Sequence, residues 1–446
     1  MITATLQRYR AAYSGLPREV WLLSIVLFVN RAGTMVLPFM TLYLTSQLGM
    51  SEALAGRLIG VYGVGAVCGA YLGGRLAGVL GPIRLQTICM FLSVPGFCLL
   101  PVWKSWPAIA ASLFSLSVVA EAVRPANATA VTLFTAPEHR TRAFALQRLA
   151  ANLGFSFGPA VGGVLATIHF GLLFAVDAIT TLAAAAALLV FFRMRATTQV
   201  ASEEEHAAAA GSPLKDGPFV AMLLLLLANM TVFFQFGSTY PLYLRDHFHL
   251  TKPAIGLMFA VNTTVIVAFE MLLLDAIKHW SIVRTIGWGC FLSCLGWGIL
   301  PFGEMAAYAV VAMLVVTMGE MLSFSMAAGF VANRCNRGNE SAYMGWYAVM
   351  MATASVLGPT LGGEIYSINR EAVWYVALVV GVLVLVGFQL LARAMEPSEI
   401  ANLETVDQDL LGDLAEHATG RPHIAVAEAI DMPVETRVEQ PFTTVN

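Results

Sequence analysis

Apolar residues dominate this chain in long runs separated by short polar stretches. The runs fall at roughly 20–46, 53–77, 85–103, 107–131, 142–167 and 170–192, then at 217–245, 253–277, 282–302, 305–331, 341–366 and 372–394. A helix rises about 1.5 Å per residue, so about 20 apolar residues cross the hydrocarbon layer of a bilayer. Spanning segments must satisfy their own backbone, and runs of this length suit helices rather than barrel strands of about 9–11 residues. The pattern predicts an all-α membrane protein with twelve transmembrane helices.

The runs also repeat. Gly158-Pro159-Ala160-Val161-Gly162-Gly163 returns as Gly358-Pro359-Thr360-Leu361-Gly362-Gly363, an offset of 200 positions. Leu42-Tyr43-Leu44 returns as Leu242-Tyr243-Leu244, Gly56 as Gly256 and Arg84 as Arg284 at the same offset. A constant offset across apolar segments predicts two six-helix pseudo-symmetric halves in parallel orientation. Transporters use such repeats because two similar halves can rock about a site held between them.

The organisation expected is a cytoplasmic N-terminal segment (1–19), a first bundle (20–195), a cytoplasmic linker (196–216), a second bundle (217–394) and an acidic tail (395–446). The linker carries Glu203-Glu204-Glu205 and an alanine run, too polar to cross a bilayer. The tail is acidic and weakly apolar and reads as largely disordered, with one short amphipathic helix near 400–415. The first run passes directly into Arg31 without a small-residue cleavage site, so it reads as a retained span rather than a signal peptide.

Composition narrows the class. The chain is 58% hydrophobic and 12% charged, against about 25% charged in soluble proteins. A net charge of −3 gives no reason to expect nucleic acid. The eight histidines have no metal-ligand spacing, and the six cysteines form no Cys-x-x-Cys pair. No cofactor or metal is expected, and no nucleophile or phosphate-loop motif supports an enzyme.

Positive charge orients the bundle. Arg8, Arg10, Arg18, Arg75, Arg84, Arg140, Arg142, Arg193, Arg195, Lys215, Lys278, Arg284, Arg334, Arg337 and Arg393 fall on one side. Arg57, Lys104, Arg245, Lys252 and Arg370 fall on the other. Both termini are expected in the cytoplasm, as an even span number requires, in a bacterial inner membrane.

Charges inside spans mark candidate chemistry. One at the centre of a membrane helix costs about 2.5–3.5 kcal/mol on insertion scales. Arg31, Glu121, Arg124, Arg148, Glu270 and Glu320 lie within predicted spans. Glu121 and Arg124 are three apart and share a helix face. Arg31, Glu121, Arg124 and Glu320 are expected to form one charged cluster across both halves. Glu320 is the favoured proton-coupling residue, with Glu121 and Glu270 as alternatives. Asp177 is expected to cap or pair locally. Asn30, Tyr43, Asn152, Gln235, Tyr240, Asn262 and Tyr347 complete the expected substrate pocket around Arg31 and Arg124.

Glycine and proline inside spans need a reason. Gly154, Gly158, Pro159, Gly162 and Gly163 form a small-residue face on the fifth span, and Gly358, Pro359, Gly362 and Gly363 do so on the eleventh. Close helix packing and bends that permit rocking are the expected roles.

Gly158-Pro159 with Gly162-Gly163 resembles the antiporter motif of the major facilitator superfamily. Gly74-Arg75-Leu76-Ala77-Gly78-Val79-Leu80-Gly81 resembles that family's cytoplasmic loop motif, with Gly78 where the family has an aspartate of its gate, and without the basic residues it carries at Val79 and Pro82. The gate on that side is therefore expected to be weaker or built from other residues. Asn30-Arg31 before Leu42-Tyr43-Leu44, Arg124-Pro125-Ala126-Asn127, Asn152-Leu153-Gly154 and Gly319-Glu320 resemble proton-coupled peptide transporters in part. The acidic residues that family places before the first-span arginine and in the seventh span are missing here.

The resemblance implies alternating access, with proton-coupled export of a small organic or amphipathic compound. An importer of peptide-like or carboxylate-bearing solutes is the alternative within transport. A non-transporting membrane receptor or scaffold is the alternative of another class. The expected partners are a small-molecule substrate, protons and the lipid bilayer, and the expected state is a monomer.

Overall fold

The computed structural model describes residues 15–192, 212–335 and 339–395. The N-terminal segment before Gly15, most of the linker and the acidic tail with its expected short helix lie outside the described residues, as do Arg193, Arg195 and Arg337.

Fourteen α-helices build the twelve spans among the described residues. In the first half they are α1 (Arg18–Ala32), α2 (Val36–Leu42), α3 (Glu52–Leu80), α4 (Pro82–Leu99), α5 (Trp106–Phe134), α6 (Arg140–Ile168) and α7 (Gly171–Phe192). In the second they are α8 (Gly217–Phe233), α9 (Thr239–Asp246), α10 (Lys252–Ala276), α11 (Ile282–Gly298), α12 (Ala306–Arg334), α13 (Glu340–Ile368) and α14 (Ala372–Ala394). Eleven helical stretches are long and apolar enough to cross a membrane. The twelfth, α13, is 29 residues long, about 43 Å at helical rise. It is the more polar one because it carries Tyr343, Tyr347, Thr353 and Ser355.

The apolar runs anticipate the span limits to within four residues. They do not reveal that spans one and seven are each broken. The first breaks between α1 and α2 at Gly33–Met35, and the seventh between α8 and α9 around Phe234–Ser238. The two breaks are related by the same offset of about 200 that relates the sequence repeats. Asp177 of α7 holds the first break, accepting from the Met35 N–H at 2.9 Å and the Val36 N–H at 3.1 Å. Those amides start α2 and have no intrahelical acceptor, so a carboxylate there satisfies them and meets the positive helix end. Gln235 sits in the second break. It donates to the Gly358 carbonyl at 2.6 Å and accepts from the Thr239 hydroxyl at 2.8 Å.

The small-residue motifs pack on these breaks. A Cβ at Gly158 would stand 2.8 Å from the Thr34 carbonyl oxygen, and one at Gly154 would stand 2.6 Å from the Arg31 Cβ. A Cβ at Gly358 would stand 2.7 Å from the Phe234 Cβ, and one at Gly362 would strike the Gln235 amide. Gly162 meets Met35 and Phe39, whereas Gly163 has ordinary clearance and Gly363 faces open space. The last two therefore do not serve close packing here. Pro359 lies inside α13; the side chain of Pro159 lies outside the described ones. Gly81, at φ 79° between α3 and α4, makes a turn that suits glycine.

Two apolar clusters join the halves among the described residues. The larger unites Val20, Leu23, Ala143 and Leu146 with Met271, Leu274 and Phe330, at the end of the bundle where α6 begins and α12 finishes, and the smaller unites Ala66 and Ala70 of α3 with Ala348 and Ala352 of α13. At the other end the clusters are separate. Met35, Tyr43, Leu58 and Phe174 pack within the first half, and Tyr240, Tyr243, Trp297 and Trp374 within the second. The halves are thus closed together at the Arg140 end.

Candidate functional site

Between the halves lies a cavity of about 360 Å³, within the range of small-molecule sites. Its walls are largely apolar, with Leu27, Leu37, Met40, Leu113 and Phe97 from the first half and Phe324, Met344 and Met351 from the second. Arg31, Glu121, Arg124, Arg148 and Asp177 are the charged residues on the wall, with Asn30, Asn127, Gln147 and Tyr347 among the polar ones.

The charges form two separate groups. Glu121 and Arg124 pair at 3.1 Å one turn apart on α5. Arg31 comes from the last turn of α1, and its guanidinium lies 5.3 Å over the Phe155 ring. The second group crosses between the halves. Arg148 of α6 donates from Nε to Glu270 Oε1 of α10 at 2.9 Å and from Nη1 to Glu320 Oε1 of α12 at 3.0 Å. Both carboxylates are buried. Ser325 donates to Glu270 Oε1 at 2.6 Å, and the Asn262 amide donates to Glu320 Oε2 at 2.9 Å. Glu270 Oε2 is buried with no hydrogen-bond partner.

This arrangement differs from the single cluster expected. Glu320 pairs with Arg148, not with Arg31 or Arg124, because α12 packs against α6 rather than presenting Glu320 to α1 or α5. Arg148, flagged only as a charge at membrane depth, is the residue that ties the cluster to both halves. Asn262 stands behind Glu320 rather than on the cavity wall. Gln235 is committed to the break of the seventh span. Tyr43 packs on Phe170 and Phe174, and Tyr240 on Trp297, so both fill the apolar clusters away from the cavity. The buried Asn152 side-chain nitrogen has no partner, and Asn152 is not on the cavity wall. Among the described residues no cluster of His, Cys, Asp or Glu is placed to hold a metal ion.

Below the cavity the contact between halves continues to the Arg140 end. Arg142 pairs with Asp275 at 3.1 Å. Arg140 donates to the Ala332 carbonyl and to Asn333 Oδ1, at the carbonyl-rich C-terminus of α12. A Cβ at Gly78 would stand 2.6 Å from the Ser341 hydroxyl oxygen. Gly74 lies against Gly345, backbone to backbone, so α3 and α13 touch where the loop motif lacks its aspartate. Within the second half, Asp216 accepts from Arg334 at 2.7 and 3.0 Å and from the Tyr343 hydroxyl at 2.9 Å. Burial pushes the Asp216 carboxyl up, but Arg334 and Tyr343 outweigh it and hold the carboxyl below its ordinary value.

The family model of the Major Facilitator Superfamily matches residues 21–352. The chain is 24% identical over 355 residues to YttB, an uncharacterised MFS-type transporter of Bacillus subtilis (strain 168), across 78% of this chain and 88% of that one. It is 23% identical over 368 residues to multidrug resistance protein 1 of the same organism, across 79% and 91%. Its fold matches the crystal structure of a bacterial homologue of the iron transporter ferroportin in an outward-facing state, with TM-score 0.67 and 13% identity, covering 84% of this chain and all of that one.

Proposed function

The chain belongs to the major facilitator superfamily of membrane transporters, and on that premise we propose that it couples proton movement to export of a small organic or amphipathic compound. The observation that carries this reading is the bridge from Arg148 to Glu270 and Glu320. One guanidinium faces two carboxylates, which leaves one negative charge without a partner at membrane depth. A single proton on the pair neutralises it, and the two acids titrate as a unit. The bridge also joins the halves, so adding the proton at Glu320 weakens a contact that closes the Arg140 end. Proton binding then favours opening at that end and closure at the other.

The distribution of Arg and Lys supports a cytoplasmic Arg140 end, with both termini, the linker and the tail on that side. The described state is then open to the outside. A solved relative captured outward-facing has the same fold. Export is supported by the antiporter-like motifs on α6 and α13 and by a relative named for multidrug resistance. A bacterial inner membrane is the corresponding location. Uptake of carboxylate-bearing solutes is the second reading, favoured by Arg31 and Arg124 on one cavity wall.

The test is purified full-length protein in proteoliposomes enclosing a pH-sensitive dye, challenged with a panel of small organic compounds. Export by antiport predicts proton movement opposite to each transported compound. Movement in the same direction favours the uptake reading. Transport without proton movement overturns the coupling.

A further inference from the structure

The charges on the cavity wall are not evenly matched. Arg148 faces Glu270 and Glu320. Arg124 faces Glu121. Asp177 is committed to two backbone amides. Arg31 also faces the cavity, yet among the described residues no carboxylate lies within ion-pair distance of it. Its charged neighbours are Arg124 and Glu121, one of each sign. Arg31 and Arg124 against Glu121 leave one positive charge in this corner. An arginine does not release its proton in a protein, so its charge at membrane depth must be met by another group.

We propose that Arg31, with Arg124 beside it, recognises an anionic group, and that the substrate is an amphipathic organic monoanion. The guanidinium of Arg31 is flanked on one side by the Phe155 ring. Such stacking leaves the planar edge free for a two-point contact with a carboxylate or sulfonate. Leu27, Leu37, Met40 and Leu113 supply an apolar wall for the body of the molecule. The size of the cavity, about 360 Å³, suits an organic molecule rather than an inorganic ion. A cationic substrate is disfavoured for a definite reason. The carboxylates on the cavity wall are already met, Glu121 by Arg124 and Asp177 by two amides, while Glu270 and Glu320 lie off the wall behind Arg148.

The inference rests on the transport reading of this cavity and adds the class of substrate; it does not depend on the coupling ion. It is tested by binding, without a proton gradient. Matched acids, amines and alcohols on naphthyl, biphenyl and decyl skeletons are added to the purified full chain, and thermal unfolding is followed at fixed pH. At least one acid is expected to stabilise the protein with about tenfold higher affinity than its amine and alcohol partners, the scale of one charged hydrogen-bonded contact. Arg31→Gln is expected to remove that preference and Arg31→Lys to retain part of it, with the ligand-free unfolding temperature of each variant confirming a folded protein. The proposal is overturned if the amines bind as well as the acids, if no acid binds, or if folded Arg31→Gln keeps the preference. An amine that binds and is moved by a proton gradient would discard this inference and leave the transport reading standing.

Discussion

Arg148 of the first half, on the wall of the central cavity, and Glu320 of the second, behind that wall, are joined at 3.0 Å across the boundary between the halves. The contact is buried on both sides, so it belongs to the state in which the Arg140 end is closed. Its loss and re-formation are what the proposed cycle requires.

Arg148→Gln is therefore expected to be more damaging than Glu320→Gln. Removing the guanidinium leaves Glu270 and Glu320 together without a counter-charge. Breaking a buried pair by deleting one partner costs about 3–5 kcal/mol, reduced here if one acid takes up a proton. Thermal unfolding of both variants in detergent checks the order. Equal unfolding temperatures would remove the bridge from the account.

Asp177→Ala is expected to loosen the break in the first span. It deprives the Met35 and Val36 amides of their acceptor, a loss of about 1–2 kcal/mol by analogy with helix caps. Hydrogen exchange should accelerate at those amides and leave the Gln235 break in the other half unchanged. Unchanged protection at Met35 and Val36 would show that Asp177 does not hold α2.

Much of this architecture was legible in the chain itself. Apolar runs located the spans, and the offset between Gly158 and Gly358 paired the halves. The Glu121–Arg124 pair was readable because both sit on one helix at a spacing that sets their neighbours. The partner of Glu320 was not, because it depends on which faces of α6, α10 and α12 meet. Tyr43 and Tyr240 misled for a related reason. An aromatic residue with a hydroxyl suits a pocket or an apolar cluster equally well, and packing against Phe174 and Trp297 places them in clusters. The signal that could have singled out Arg148 was its depth within the fifth span. The breaks carried no period of their own; Gly33 and Gln235 mark them only once Asp177 and Gly358 are seen alongside.

The Asp216–Arg334 contact makes a pH prediction. The carboxyl is held below its ordinary value, so the stabilisation is fully present above the unfolded-state value of about 3.9 and is lost as pH falls through the lower folded-state value. Asp216→Asn should lower the unfolding temperature at pH 7, and the difference from the wild type should shrink only in strong acid. A difference that disappears between pH 7 and pH 5 would contradict this assignment.

Gly74→Val is expected to disfavour closure at the Arg140 end. A side chain there strikes the Gly345 backbone, which cannot rotate away as a side chain would. Cysteines introduced on this end should become more accessible to a water-soluble maleimide. Unaltered accessibility would mean that α3 and α13 do not need to touch for the end to close.

The most direct test of proton coupling through Glu320 is the pH dependence of the distance between the halves at their open end. Spin labels at Ser46→Cys and Thr251→Cys, both exposed positions, report it by pulsed electron resonance in nanodiscs, in a background with Cys68, Cys98 and Cys335 replaced by serine. In the otherwise wild-type protein, lowering the pH is expected to shift the population toward shorter distances, as protonation weakens the bridge to Arg148 and the open end closes. In Glu320→Gln, which cannot titrate, the distribution should no longer follow pH. A Glu320→Gln protein whose distances still respond to pH as the wild type does would contradict the account and move the coupling to Glu270 or Glu121.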